Sequence, residues 1–136
     1  MQCCPSGSTA GQIAFALSAW RSTCATPALP AKPVDEPVVP GAPDAYFATL
    51  PTRRIVEKLR GEDIPAQLSY SAGTFVCNNL LYCALHESAQ KFPATRCGFV
   101  HVPYLPEQAK DGNAPSMSLA LMTKALETAA EVIIEA

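Results

Sequence analysis

The stretch SAGTFVCNNLLYCALH, residues 71–86, joins a turn of small residues to a long apolar run. The residues IPAQLSYS (64–71), which lead into it, are typical of a strand, and Gly73 supplies a turn. The apolar residues that follow the turn at helical spacing include Val76, Leu80 and Ala84. A strand, a turn and a helix are therefore predicted, with Cys77 where the helix begins.

Cys77 has two interpretations at this junction. A thiol reacts as its thiolate, and the unpaired amides and positive dipole end of a helix start favour that form. The same amides can stabilise the oxyanion that forms when a carbonyl is attacked. Free cysteine is also among the most buried residue types, so a core thiol is the alternative. The residues of this stretch leave both interpretations open.

A histidine follows in the next predicted strand, RCGFVHVPY (96–104). In a parallel α/β sheet the carboxyl ends of neighbouring strands share one edge, so His101 is predicted to lie next to Cys77 as a base. A core histidine with its hydrogen bonds satisfied is the alternative. His86, late in the preceding helix, is expected to be exposed near the helix C-terminus.

Two further helices complete the predicted order of elements. RRIVEKLR (53–60) is amphipathic, with Thr52 as N-cap and Gly61 as C-terminal stop, and a helix over 117–134 is capped by Ser116. The order helix, strand, helix, strand, helix predicts an α/β fold, a three-layer sandwich with a mostly parallel sheet. Two strands do not make a stable sheet, so the sheet is predicted to be incomplete unless residues before 44 add strands.

The remaining thiols and aromatic residues of this region have more ordinary interpretations. Cys83 is expected in the core, and Cys97 is expected to be structural. Phe75, two residues before the thiol, is a candidate wall of a substrate pocket. Otherwise it packs in the core, as expected for Tyr46 and Phe47.

Residues 1–32 differ from residues 33–136 and are predicted to form a separate, atypical segment. They carry one charge before residue 31, Arg21, and no sustained apolar period. GQIAFALSAW (11–20) is the candidate for a short helix. Six prolines between Pro27 and Pro43 predict an extended or irregular stretch.

Composition narrows the function classes. The chain of 136 residues has a net charge of −2 and no Lys/Arg cluster beyond Arg53–Arg54, so neither nucleic acid nor a membrane surface is an expected partner. The sequence shows no signal peptide and no run of about 18 apolar residues, which favours a cytoplasmic location. The six cysteines are then free thiols. No C-x-x-C pair or histidine cluster predicts a metal, and no cofactor is expected.

Four segments resemble a known family, the pyrrolidone-carboxylate peptidases, also called pyroglutamyl peptidases type I. They are PVDEPVVPGAPDAYFATLP (33–51), SAGTFVCNNLLYCALH (71–86), GFVHVPYLPEQ (98–108) and APSMSLALMTKALETA (114–129). The resemblance covers roughly residues 33–134, which is the C-terminal half of the family. It implies a thiol protease, a hydrolase that removes N-terminal pyroglutamyl residues from peptides. It also implies that Cys77 is the nucleophile, His101 the general base and Phe75 a wall of the pyroglutamyl pocket.

The chain departs from the family in its first part. The family's Gly-Phe-x-Pro-Phe-Gly segment and the block with its catalytic glutamate have no counterpart here. The acidic residues before position 52 are Asp35, Glu36 and Asp44, and none has the context of that glutamate. Two alternatives therefore stay open: a catalytically inactive truncated fragment, and an α/β module that binds a small molecule without hydrolysis. A homo-oligomer is also left open.

Residues 1–32 carry a further hypothesis, that they are the family's coding sequence read out of frame. Trp20 has a single codon, and the bases around it permit an alanine codon in the shifted frame. Codons for Leu17–Ser22 can read E-R-L-A-V in that frame, which resembles the family's glutamate block. The frame would return near Ala31, and Cys3, Cys4 and Cys24 would then have no selected role.

Overall fold

The computed structural model describes residues 12–16, 18–20, 22–23, 34–109 and 114–136. The predictions for Arg21, Cys3, Cys4 and Cys24 lie outside these residues. In chain order the elements are β1 (Ile13–Ala16), β2 (Ser18–Trp20), β3 (Ser22–Thr23), β4 (Val34–Pro37), β5 (Ala45–Phe47), α1 (Thr52–Gly61), β6 (Ala66–Ser69), α2 (Val76–Lys91), β7 (Phe99–His101), a 3₁₀ turn (Pro106–Gln108) and α3 (Leu119–Ile134).

The chain divides into two compact units, each with its own cluster of buried residues. The described residues of the first unit lie within 16–50 and 69–99, and those of the second lie within 12–15, 51–68 and 100–136.

The first unit contains α2 and two short antiparallel ribbons. β2 pairs with β5, where Ala19 lies opposite Tyr46, and β3 pairs with β4. The buried residues of the unit are Ala16, Ala72, Leu81, Tyr82 and Leu85. Because Leu81, Tyr82 and Leu85 all belong to α2, this helix supplies most of the unit's core.

The apolar spacing of α2 does not mark its buried face. Val76 and Leu80, two of the apolar residues at helical spacing, are 61% and 59% exposed. The helix instead buries Leu81, Leu85, Tyr82 and Asn78. Two of these side chains carry polar groups, so a count of apolar residues at helical spacing selects the wrong face.

The second unit holds most of a three-stranded sheet with the order β6-β1-β7, and α1 packs against α3. Ile13 and Phe15 of β1 are fully buried. The expected helix over 11–20 is therefore wrong where the chain is described, because 13–16 and 18–20 are strands. The buried cluster of this unit is Ile13, Phe15, Ile55, Val56, Leu59, Ile64, Ala66, Met117, Met122, Ala125, Ala129 and Val132.

The end of α1 differs from the prediction. Gly61 is the last helical residue rather than the stop, and the left-handed residue is Asp63, with φ of 58°. The Asp63 amide donates to the Arg60 carbonyl at 3.2 Å, and the Ile64 amide donates to the Leu59 carbonyl at 2.9 Å. These two bonds are the C-terminal motif in which a left-handed residue usually is glycine.

The predicted starts of α1 and α3 are also shifted. Thr52 is the first residue of α1, and Pro51 takes the N-cap position. Ser118, not Ser116, caps α3, where its hydroxyl accepts from the Leu121 amide at 3.3 Å. Ser116 instead forms an isolated bridge with Tyr104.

The α/β class predicted from the order of elements is confirmed, and the sheet is incomplete as expected. The sequence left open whether residues before 44 add strands, and the structure has strands there, β1 to β4. None of the helices in the described parts of the chain has the length and apolarity needed to cross a membrane.

Candidate active site

The turn before α2 is fixed by its own serines. The Ser69 hydroxyl donates to the Ser71 carbonyl at 2.7 Å, and the Gly73 amide donates to the Ser71 hydroxyl at 3.0 Å. Gly73 has a φ of 83°, and nothing lies within 4 Å of where its side chain would begin. The backbone conformation rather than space therefore requires glycine here. After this turn the chain enters α2 at Val76.

Cys77 is the second residue of α2 and is partly exposed. The N-cap residue, Phe75, makes no capping hydrogen bond with its side chain, and the first turn of the helix has no acidic residue. Because no carboxylate offsets the positive end of the helix dipole in that turn, the site favours an anion. Partial exposure also distinguishes this thiol from the fully buried residues of the core.

Phe75 lies directly before α2 and is 44% exposed. The first unit therefore brings Phe75 and Cys77 together at the start of one helix. An aromatic side chain with this much exposed surface can contact a ligand, whereas a core aromatic cannot.

His101 is the last residue of β7 and belongs to the second unit. It is partly buried, and this burial lowers the pKa of its imidazole. A histidine with a lowered pKa is neutral at neutral pH and can accept a proton. The structure describes Cys77 and His101 in separate units, so their pairing stays a prediction.

The other two described cysteines, Cys83 and Cys97, lie in different environments. Cys83 is partly exposed, with its sulfur 3.3 Å from Asn79 Oδ1, so its expected place in the core is wrong. The Cys97 amide donates to the Thr49 hydroxyl at 2.7 Å. Burial raises the pKa of the Cys97 thiol, despite a hydrogen bond from the Gly98 backbone that lowers it. A thiol with a raised pKa is a poor nucleophile, as expected for a structural cysteine.

His86 and Phe47 lie in environments that the sequence did not predict. His86 is partly buried, and its Nδ1 lies 2.8 Å from the Tyr46 hydroxyl, so it is not the free surface residue expected at a helix end. Phe47 is 77% exposed and does not pack in the core. Tyr46 does pack against the buried cluster of the first unit, as predicted.

Two surface clefts lie in the second unit, and neither is lined by a predicted site residue. One of about 330 Å³ runs between α1 and α3, and one of about 340 Å³ lies beside the start of β6. The described residues contain no group of three or more His, Cys, Asp or Glu side chains that could hold a metal ion. Asp35 and Glu36 lie in β4, and Asp44 is exposed.

Comparison with known proteins gives one consistent family. The model of the pyroglutamyl peptidase family matches residues 12–136. The pyrrolidone-carboxylate peptidase of Vibrio parahaemolyticus is 51% identical over 104 residues, which are 76% of this chain and 48% of the relative. The chain thus spans about half the length of the curated relatives it matches.

Solved structures agree. The pyrrolidone carboxyl peptidase of Pyrococcus furiosus aligns with a TM-score of 0.82 and 43% identity, over 92% of this chain and 64% of that one. The pyroglutamyl peptidase I of Bacillus amyloliquefaciens aligns with a TM-score of 0.82 and 43% identity, over 90% of this chain and 60% of that one. At 43% identity the chain resembles these proteins in sequence as well as in fold.

Proposed function

Since this chain belongs to the pyroglutamyl peptidase family, we propose that it carries the nucleophile and the base of a cysteine peptidase that removes N-terminal pyroglutamyl residues from peptides. One observation carries the proposal. A partly exposed thiol, Cys77, lies in the first turn of a 16-residue helix whose start has neither a side-chain cap nor an acidic residue. Relatives of this chain are named pyrrolidone-carboxylate peptidases.

The chemistry is acyl transfer. His101 takes the proton of the Cys77 thiol, and the thiolate attacks the carbonyl carbon that links pyroglutamate to the next residue. Amides of the first turn of α2 stabilise the resulting oxyanion, and Phe75 packs on the lactam ring. His101 then returns the proton to the leaving amine as the carbon–nitrogen bond breaks. Water hydrolyses the thioester and releases pyroglutamate, so no metal or cofactor is needed.

No disulfide joins the described cysteines Cys77, Cys83 and Cys97. Reduced cysteines persist in a reducing compartment. The proposal therefore includes a cytoplasmic location and peptide substrates, with no role for nucleic acid or a membrane.

A pyroglutamyl chloromethyl ketone tests the proposal without requiring full turnover. The thiolate displaces chloride from this reagent and forms a stable thioether, which peptide mass spectrometry assigns to a residue. We expect labelling of Cys77 well ahead of Cys83. A prolyl chloromethyl ketone, which lacks the lactam carbonyl, is expected to label more slowly.

Matched variants give the controls. Cys77→Ala should lose the label, Cys83→Ala should keep it, and His101→Gln should slow it because the base is gone. Equal labelling of Cys77 and Cys83, or equal rates with the lactam and prolyl reagents, would contradict the proposal.

The inactive fragment is the second candidate, favoured by the sequence, in which Asp35, Glu36 and Asp44 are the acidic residues before position 52 and none has the context of the family's catalytic glutamate. A carboxylate that orients the base is part of the usual three-residue constellation. We therefore expect little hydrolysis of a chromogenic pyroglutamyl amide by the chain, and none by Cys77→Ala. Rapid, Cys77-dependent hydrolysis would remove this candidate and leave the peptidase.

A further inference from the structure

Three side chains of the first unit form a cluster that the proposed chemistry does not use. Tyr46, Tyr82 and His86, here called the aromatic clasp, meet edge to face. The ring centroids of Tyr46 and Tyr82 are 5.2 Å apart, and those of Tyr46 and His86 are 5.8 Å apart. Such edge-to-face pairs stabilise beyond the apolar area that they bury.

Two hydrogen bonds add direction to the aromatic clasp. The Tyr46 hydroxyl is 2.8 Å from His86 Nδ1, and the Tyr82 hydroxyl donates to the Pro43 carbonyl at 2.5 Å. Tyr82 is fully buried, so its hydroxyl has a strong need for that acceptor. The two bonds tie α2 to residues 43–46 at two separate points.

The two hydrogen bonds and the ring contacts act on one face of α2 and so constrain the angle of the helix about its axis. Tyr82 and His86 are four residues apart and therefore lie on one face of the helix, and both rings contact the Tyr46 ring. Much of the helix's apolar surface is not buried, as the exposure of Val76 and Leu80 shows. Apolar packing is not directional, whereas hydrogen bonds require a narrow range of angles, so the hydrogen-bonded clasp adds a directional constraint on the angle of the helix about its axis.

Cys77 lies on the same helix, five residues before Tyr82. Five residues are less than two turns, over which a helix behaves as a rigid rod. A rotation of α2 would therefore swing the sulfur of Cys77 by the same angle.

We propose that the aromatic clasp is a positioning device, in which Tyr46, Tyr82 and His86 fix the rotation of α2 and thereby the direction of the Cys77 thiol. The inference rests on the proposed function, because it concerns the helix that carries the nucleophile. Tyr46 is the main positioning residue, since it contacts both of the others.

The chain contains its own sensor of this rotation. Cys77 and Cys83 are six residues apart, so they point about 120° away from each other around the helix. A rotation that exposes one sulfur covers the other, so the two alkylation rates change in opposite directions, whereas a general loss of stability raises both rates. The directions of the two rate changes, together with their ratio, therefore separate positioning from stability.

The experiment measures iodoacetamide alkylation of Cys77 and Cys83 by mass spectrometry, in the full chain and under native conditions. Tyr46→Phe removes one hydrogen bond and keeps the ring. We expect it to change the ratio of the Cys77 rate to the Cys83 rate by about tenfold, which corresponds to about 1.4 kcal/mol and is close to the most that one ordinary hydrogen bond contributes. His86→Phe should act alike, and His86→Gln, which keeps an acceptor, should restore part of the ratio.

Thr49→Val is the matched control, because it removes the hydroxyl that contacts Cys97 elsewhere in the same unit. It should lower the melting temperature without lowering either alkylation rate. An unchanged ratio in Tyr46→Phe would overturn the aromatic clasp as a positioning device. This result is independent of the lactam reagent, so failure of the clasp and failure of the proposed function are told apart.

Discussion

The protonation of His101 gives a prediction at the scale of one residue. Burial lowers the pKa of this imidazole, so the base stays neutral to a more acidic pH than an ordinary histidine, whose pKa is about 6.5. Labelling of Cys77 by the pyroglutamyl reagent should therefore persist below about pH 6.5 and fall only when His101 is protonated. The measurement is the labelling rate between about pH 5 and about pH 8, the range in which histidine titrates.

The lowered pKa of His101 also makes the free energy of unfolding depend on pH. The folded chain binds a proton at His101 less readily than the unfolded chain does. The contribution of neutral His101 to the free energy of unfolding is therefore fully present above the pKa of the unfolded chain, and it is lost as the pH falls through the pKa of the folded chain. His101→Gln should remove this loss from a pH series of melting temperatures. A labelling rate that falls at the pH of an ordinary histidine would show that burial does not govern this group.

Gly98 gives a second prediction at this scale. A side-chain carbon added there would lie 2.7 Å from Cγ of Leu50 and still closer to Cδ1. Gly98→Ala should therefore lower the free energy of unfolding by about 1 to 3 kcal/mol, the usual cost of overpacking. Urea denaturation measures it. Leu50→Ala in the Gly98→Ala background should recover part of the loss, and equal stability of Gly98→Ala and the parent chain would contradict the prediction.

For single residues, the sequence predicted the place in a helix or strand better than it predicted the contacts of the side chain. Cys77 lies at the start of a helix because the turn and the apolar run are adjacent in the chain. The partner of His86 could not be predicted, since Tyr46 is 40 residues away in sequence. Local pattern carries no information about such a contact.

The end of α1 supports a prediction at the scale of an element. Asp63 has a φ of 58°, and a left-handed conformation costs most residues other than glycine about 1 to 2 kcal/mol, although Asp enters it more readily than most. Asp63→Gly should therefore raise the melting temperature. Gly61 lies within the helix without a positive φ and with open space around it. Gly61→Ala should stabilise by about 0.4 to 1 kcal/mol.

The two changes discriminate between the predicted and the observed helix end. If Gly61 were the left-handed stop, Gly61→Ala would destabilise the chain and Asp63→Gly would do little. Thermal unfolding of both variants, and of Gly73→Ala as a control with a true positive φ, distinguishes these outcomes. Gly73→Ala should destabilise because its φ is 83°.

Elements were predicted well where the apolar period was long and poorly where it was short. α1, α2 and α3 all appear near their predicted places, with ends shifted by one or two residues. The apolar spacing does not give the buried face of α2, because Tyr82 and Asn78 are buried side chains that carry polar groups. The burial of Tyr82 depends on an acceptor, the Pro43 carbonyl, that helical spacing does not reveal.

At the scale of the whole molecule, the strands before residue 44 were the main omission. β1 to β4 are two to four residues long, too short for alternation to stand out. Their partners are distant in sequence, and β1 lies between β6 and β7. Such a strand is defined by tertiary pairing rather than by its own composition.

We propose, as a hypothesis about ancestry, that residues 1–32 are the family's coding sequence read in a shifted frame, ahead of the in-frame segment 33–136. The family model nevertheless matches from residue 12. The gene's DNA decides the question, since codons for the family's glutamate block should appear one frame away from those of Leu17–Ser22. A DNA sequence without those codons would end the hypothesis.

Whatever its ancestry, the segment around β1 has a role in the fold that can be measured. Phe15 is fully buried in the core of the second unit, so Phe15→Ala should lower the free energy of unfolding by about 3 to 5 kcal/mol. Phe47, which is 77% exposed, provides the same substitution at a surface site, where the change should stay within about 0.5 kcal/mol. Chemical denaturation of the two variants beside the parent chain makes the comparison. Equal, small effects would mean that residues 12–16 contribute nothing to stability and that the second unit folds on the remaining strands alone.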